Sequence, residues 1–134
     1  MNSNKQMTEK KIWDTIETAM ENPNIIVRMR IWIESETGET LYGEGQICIL
    51  EAIEKEGSIN AAAKSMGMGY RSMWGRLKKL EKRIGTPLLI RRKGGAFGGE
   101  TILTIEAKRM IEKFRQLQQN LNTSAEKIHN MIYL

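Results

Sequence analysis

A mostly helical chain with a small β component is predicted by three features of its 134 residues. Apolar residues recur at steps of three and four in several stretches, the period of a helix with one buried face. Two short stretches rich in β-branched residues are punctuated by glycine, as strands joined by turns require. Basic residues gather in one segment instead of being spread along the chain.

From the N-terminus, Thr8 to Met20 places Ile12, Trp13, Ile16, Ala19 and Met20 at helical spacing, with Pro23 just beyond the stop. Residues 25–33 (IIVRMRIWI) alternate Arg28 and Arg30 with Val27, Met29 and Ile31, the period of a half-buried strand. ETGE at residues 36–39 supplies a turn, and Thr40 to Tyr42 begin a return strand, giving an N-terminal strand or hairpin. After Gly43 and Gly45 the period becomes helical. Ile47, Leu50 and Ile53 form a stripe that ends at Gly57, where glycine takes a left-handed cap conformation. Ser58 stands at the N-cap of a second helix that carries Ala61, Ala62 and Ala63 and ends near Gly67. Met68 and Gly69 leave room only for a tight turn.

A third helix runs from about Tyr70 to Ile84, with Met73, Leu77, Leu80 and Ile84 on its buried side. Gly85 ends it and Pro87 forbids continuation. Leu88 to Arg92 and Thr101 to Ile105 read as strands on either side of a GGAFGG loop, Gly94 to Gly99. From Glu106 onward, Ala107, Met110, Phe114, Leu117, Leu121, Ala125, Ile128 and Ile132 make a long stripe, with Asn122 to Ser124 as a candidate interruption. The partner of that stripe is either the same helix of a second copy or, for its first half, the chain's own domain.

Composition narrows the function. Apolar residues at 40% and charged residues at 28% describe a soluble globular protein. No apolar run reaches the roughly 20 residues of a membrane span, and MNSNKQMTEK has no signal-peptide core, so a cytoplasmic location is expected. Cys48 is the only cysteine and reads either as a small helix residue or as a reactive thiol. His129 is the only histidine, and no G-x-S-x-G, Walker-type loop or metal-ligand cluster is present. No catalytic residue, cofactor or metal is expected, and the chain reads as a non-enzyme.

Between Lys64 and Lys93 stand ten basic residues against the single acid Glu81, a net +9. With the whole chain at +5, the remainder carries −4. A basic segment in an otherwise acidic protein reads either as a polyanion-binding surface or as a solvated helix face. Three helices with a short turn between the second and third, followed by strand, loop and strand, are the parts of a winged helix-turn-helix. In that arrangement the third helix enters the major groove, where each base pair presents a distinct pattern, and the wing meets backbone or minor groove. Double-stranded RNA is disfavoured, because its narrow major groove excludes a helix.

The same residues resemble a known family. Gly57 to Ala107 is similar to the N-terminal DNA-binding domain of ModE-type molybdate-responsive transcriptional regulators, itself LysR-like. The ModE-like marks are GSI at Gly57 to Ile59, YRSMW at Tyr70 to Trp74, and the glycine-rich wing ending in Leu103 and Thr104. The LysR-like mark is LKKLEKRIGTPLLIR, Leu77 to Arg91. The resemblance covers about residues 24–121 and implies an operator-binding homodimer. Two departures limit it. ModE-type regulators carry oxyanion-binding domains after this one, and the present sequence stops before one would fit, so molybdate sensing is not carried over. Lys108 follows Ala107 where the LysR-like pattern has glycine.

The expected organisation is an N-terminal helical extension (residues 1–23), a DNA-binding domain (24–105) and a dimerisation helix (106–134). The expected partners are double-stranded DNA and a second copy, with no membrane and no small-molecule effector site evident. Ser58 caps the second helix and also stands where a phosphate contact is feasible. Tyr70, Arg71 and Ser72 begin the recognition helix, with Arg71 reading guanine or only touching phosphate. Trp74, one step from the buried stripe, packs inward or meets DNA. Arg76, Lys78 and Lys79 suit phosphates, Lys82 and Arg83 add field, and Arg91, Arg92 and Lys93 enter the wing. Phe97 at its tip is a wedge or simply exposed. The competing function is a winged-helix module that binds another protein.

Overall fold

A computed structural model describes residues 8–14, 26–93 and 99–134. Residues 30–117 make one compact unit; residues 118–134 group with the described residues before 30 in a second. In chain order the elements are α1 (described over residues 8–14), β1 (Trp32–Glu34), β2 (Thr40–Gly43), α2 (Glu44–Glu56) and α3 (Ile59–Ser65). They are followed by α4 (Tyr70–Ile84), β3 (Leu89–Arg92), β4 (Glu100–Leu103) and α5 (Ile105–Tyr133). The architecture is a winged helix-turn-helix: three helices, an antiparallel two-stranded wing, a second small hairpin before them and a long helix after.

The core of the 30–117 unit is assembled from the predicted stripes. Ile47, Leu50 and Ile53 of α2 meet Ala62 and Ala63 of α3 and Met73, Leu77 and Leu80 of α4, all essentially solvent-free. Small alanine side chains let the helices approach closely, while each fully buried Leu or Ile contributes about 1.5–3 kcal/mol. Phe114 of α5 closes the other side, its ring tilted at 58° to Tyr42 with centroids 5.9 Å apart. Ile84, expected on the buried side, is half-buried at the margin of this core.

Helix ends follow their local chemistry. Gly57 adopts φ 80° and donates to the Ile53 carbonyl, ending α2. Ser58 Oγ accepts from the Ala61 N–H at 3.0 Å, starting α3. Gly85, with φ 78°, ends α4. Thr104 starts α5 one residue earlier than expected: its hydroxyl accepts from the Ala107 N–H at 3.2 Å and donates to the Pro87 carbonyl at 2.9 Å. β4 correspondingly stops at Leu103 rather than reaching Ile105.

Two expectations are corrected. The strand expected over 25–33 is paired only from Trp32, in register Trp32↔Gly43 and Ile33↔Tyr42. Its partner β2 has four residues before the chain turns into α2, so among the described residues none pairs with 26–31, and Ile26, Val27 and Met29 are exposed. Asn122 to Ser124 do not interrupt α5, which is continuous to Tyr133. Each costs only tenths of a kcal/mol in a helix, too little to break one this long. The helix expected over 8–20 is present over 8–14; residues 15–20 and the Gly94–Phe97 stretch with Gly98 lie outside the described residues.

The first half of α5 packs within the 30–117 unit through Ala107, Met110 and Phe114. Arg115 fastens it to α2 by reaching both Glu44 and Glu51, with Cys48 alongside. The hydrogen bond to Glu51 leads in holding the Arg115 guanidinium above its ordinary pKa, against desolvation. Burial pushes the Cys48 thiol up, and its bond to the Glu44 carboxylate adds to this. That favours the plain helix residue over the reactive thiol. Farther along, Leu117, Leu121, Ile128 and Ile132 remain exposed.

Candidate nucleic-acid interface

The direction in which α4 presents its charges is set by its buried stripe. At 100° per residue, the side facing away from Met73, Leu77 and Leu80 is centred within about 10° of Gly75 and Lys82. Arg71 and Lys78 lie to one side of that line, and Ser72 and Lys79 to the other. All four are exposed, as are Arg76 and Arg83. Gly75 itself has a helical backbone, and a Cβ there would meet no atom of the described residues within 4 Å. A glycine in mid-helix costs roughly 0.5–1 kcal/mol relative to alanine, and nothing inside the described chain requires it.

Three hydrogen bonds hold the wing, one of them to this helix. Glu81 Oε2 accepts from the Leu88 N–H at 2.9 Å, fixing the entry to β3 against the end of α4. The Thr101 N–H donates to the Gly57 carbonyl at 2.9 Å, fixing β4 against the turn between α2 and α3. The Thr104 N–H donates to the Leu88 carbonyl at 3.0 Å and closes the base. β3 and β4 pair throughout, from Leu89↔Leu103 to Arg92↔Glu100. Among the described residues, Thr101 is the one buried polar residue of the wing.

With the wing so held, Arg91 reaches back onto α4. Its guanidinium lies 5.7 Å from the centre of the Trp74 ring and donates to the Tyr70 hydroxyl at 3.4 Å. Lys78 Nζ sits 5.2 Å from the same ring and 3.5 Å from Glu81. Each cation on an exposed ring contributes about 0.5–1 kcal/mol. Trp74 is 38% exposed and does not pack inward. Tyr70, Arg91, Arg92 and Lys93 line a groove of about 660 Å³ with Ser58, Asn60, Glu100 and Thr101. Tyr70 at the start of α4 is therefore brought together with Arg91, Arg92 and Lys93 at the outer end of the wing. Arg71, Ser72, Arg76 and Lys79 stand apart from that groove on α4.

Glu81 and Gly75 are the residues sequence reasoning passed over. Glu81 is the lone acid of the basic segment, and that isolation was the available signal. Its contact with Leu88 is a tertiary one that no local periodicity encodes. Gly75 is visible in the sequence as a glycine inside a helical pattern, but only the structure establishes that the space around it is open.

Comparison with known proteins matches residues 45–108 to the bacterial regulatory helix-turn-helix protein, lysR family. The chain is 32% identical over 99 residues to the molybdenum transport protein ModE of Azotobacter vinelandii, covering 74% of this chain and 36% of that protein. It is 38% identical over 74 residues to the transcriptional regulator ModE of Haemophilus influenzae, covering 55% and 29%. It is 32% identical over 74 residues to the DNA-binding transcriptional dual regulator ModE of Escherichia coli, covering 55% and 28%. The matches thus span about a third of the length of these relatives.

Glu81→Ala is expected to lower unfolding stability by about 1–3 kcal/mol, because the part-buried Leu88 N–H loses its acceptor. The Leu88 amide should also exchange faster with solvent. An unchanged denaturant midpoint together with unchanged exchange would show that the latch does not hold the wing.

Proposed function

Since residues 45–108 carry a regulatory helix-turn-helix of the lysR type, we propose that the chain is a sequence-specific, double-stranded-DNA-binding transcriptional regulator of the ModE-like kind. The observation that carries this reading is the exposed cationic outer face of α4 with the cationic β3 strand latched beside it. Helix α4 enters the major groove, and the wing follows the backbone beside it.

The residues divide by position. Arg71 and Ser72, in the first turn of α4, reach base edges, with Arg71 making a bidentate contact to guanine. Arg76, Lys78 and Lys79 neutralise phosphates along the flanks, releasing condensed counterions. Tyr70, Arg91, Arg92 and Lys93 line a groove that suits the sugar-phosphate backbone, and Ser58 adds a polar group at its margin. Trp74 holds Arg91 and Lys78 in place and offers the rest of its ring to the duplex. The function involves no reaction and draws on no cofactor, and it suits a cytoplasmic protein. Among the described residues no helix is long and apolar enough to cross a membrane.

The organisation proposed is an extension over residues 1–23, the DNA-binding domain over 24–105 and a dimerisation helix over 106–134. Leu121, Ile128 and Ile132 recur at helical spacing on the exposed part of α5. A second copy of the same helix covers such a stripe in a homodimer.

Arg71→Ala is expected to relax preference at one base pair, losing about 1–3 kcal/mol of discrimination. Lys79→Ala should instead weaken binding to every duplex and reduce the salt slope by about one. Lys79 is the better choice than Lys78, which is also engaged with Trp74 and Glu81. Titrating both variants with duplex over a salt series separates the two effects. Unchanged affinity in both would leave the basic face to a protein partner. In sedimentation with duplex, two copies per site are expected, and a single bound copy would overturn the homodimer.

A further inference from the structure

We infer that Gly75 is the point of closest approach between α4 and DNA, a specificity determinant that lets base-pair edges on the major-groove floor come against helix backbone. The inference rests on the DNA-binding reading and gives its recognition helix a defined depth of entry.

Three observations meet at this residue. Gly75 lies in the middle of α4, opposite the buried Met73, Leu77 and Leu80, so it faces directly away from the core. Its four helical neighbours, three and four residues away on each side, are Arg71, Ser72, Lys78 and Lys79, all exposed. Gly75 is thus a notch in the helix surface with polar and cationic side chains around it. Finally, the chain gains nothing from the glycine by itself. Gly57, Gly67 and Gly85 each hold a positive φ, whereas Gly75 does not, and a Cβ at Gly75 meets nothing within 4 Å among the described residues.

A glycine that weakens its own helix and answers no internal steric demand is explained by a demand from outside. The four neighbours indicate what comes there. Three are cations long enough to reach past the notch to phosphates on either side, as a helix seated in a major groove requires. A side chain at position 75 would be the first group to strike the groove floor. It would hold α4 outward by roughly the width of a methyl group and pull Arg71 off its base edge.

The test is Gly75→Ala in the full chain, assayed on a duplex of about 30 base pairs enriched from a random pool and on an unrelated duplex of equal length. The thermal midpoint should rise by about 2–5 °C, since alanine favours the helix. Affinity for the enriched duplex should fall about tenfold or more, while affinity for the unrelated duplex and the salt slope stay within twofold, because no charge changes. Gly75→Leu should deepen the specific loss. A raised midpoint with specific affinity intact would overturn the inference, and so would a lowered midpoint, which would assign the glycine to packing. Failure of the wild-type chain to enrich any duplex would instead defeat the DNA-binding reading itself, a result distinguishable from either.

Discussion

The burial of one stripe of α4 is the constraint on which the remainder of the surface depends. Met73, Leu77 and Leu80 are held in the core against α2 and α3, and deleting any one of them to alanine carries a cost of about 2–5 kcal/mol. A helix so fixed about its own axis has no freedom to choose which side chains face solvent. Arg71, Lys78, Lys79 and Lys82 point outward because the apolar positions between them point inward. The orientation of the basic face is therefore a consequence of core packing, and it is as rigid as that packing.

The wing inherits this orientation through Leu88 and Leu103, which are buried in the shared core, and through hydrogen bonds. It has only two short strands, and most of β3 is exposed. Alone, a hairpin of this size is marginal in water. Contacts from Glu81 to Leu88, Thr101 to Gly57 and Thr104 to Pro87 and Leu88 tie it to three different parts of the helical scaffold. Arg91 is consequently presented to Tyr70 and Trp74 in a defined place, and a cationic strand becomes part of the same face as a cationic helix.

Much of this was legible in the sequence because it is local. The bounds of α4, the cap at Ser58 and the terminations at Gly57 and Gly85 follow from spacing and backbone chemistry within a few residues. The net charge of the 64–93 segment is visible in the same way. What was not legible involves partners distant in sequence. The clamp from Arg115 to Glu44 and Glu51 spans more than sixty positions. The wing latch at Glu81 and the outward placement of Trp74 depend on where β3 returns to α4. The strand expected over residues 25–33 failed for a related reason. Its alternation was real, but a strand extends only as far as its partner, and β2 ends at Gly43.

The distal part of α5 continues the apolar spacing beyond Phe114, the last buried residue of the helix. Joined to the basic face of α4, that stripe ties the two halves of the proposal: one surface for the duplex and another for a second copy. Selection of bound duplexes from a random pool with the full chain tests both together. Enrichment of a pseudo-palindrome whose half-sites lie about one helical turn apart, roughly 10 base pairs, is the expected result. A pool that returns no shared sequence, at low and at moderate salt alike, would contradict it.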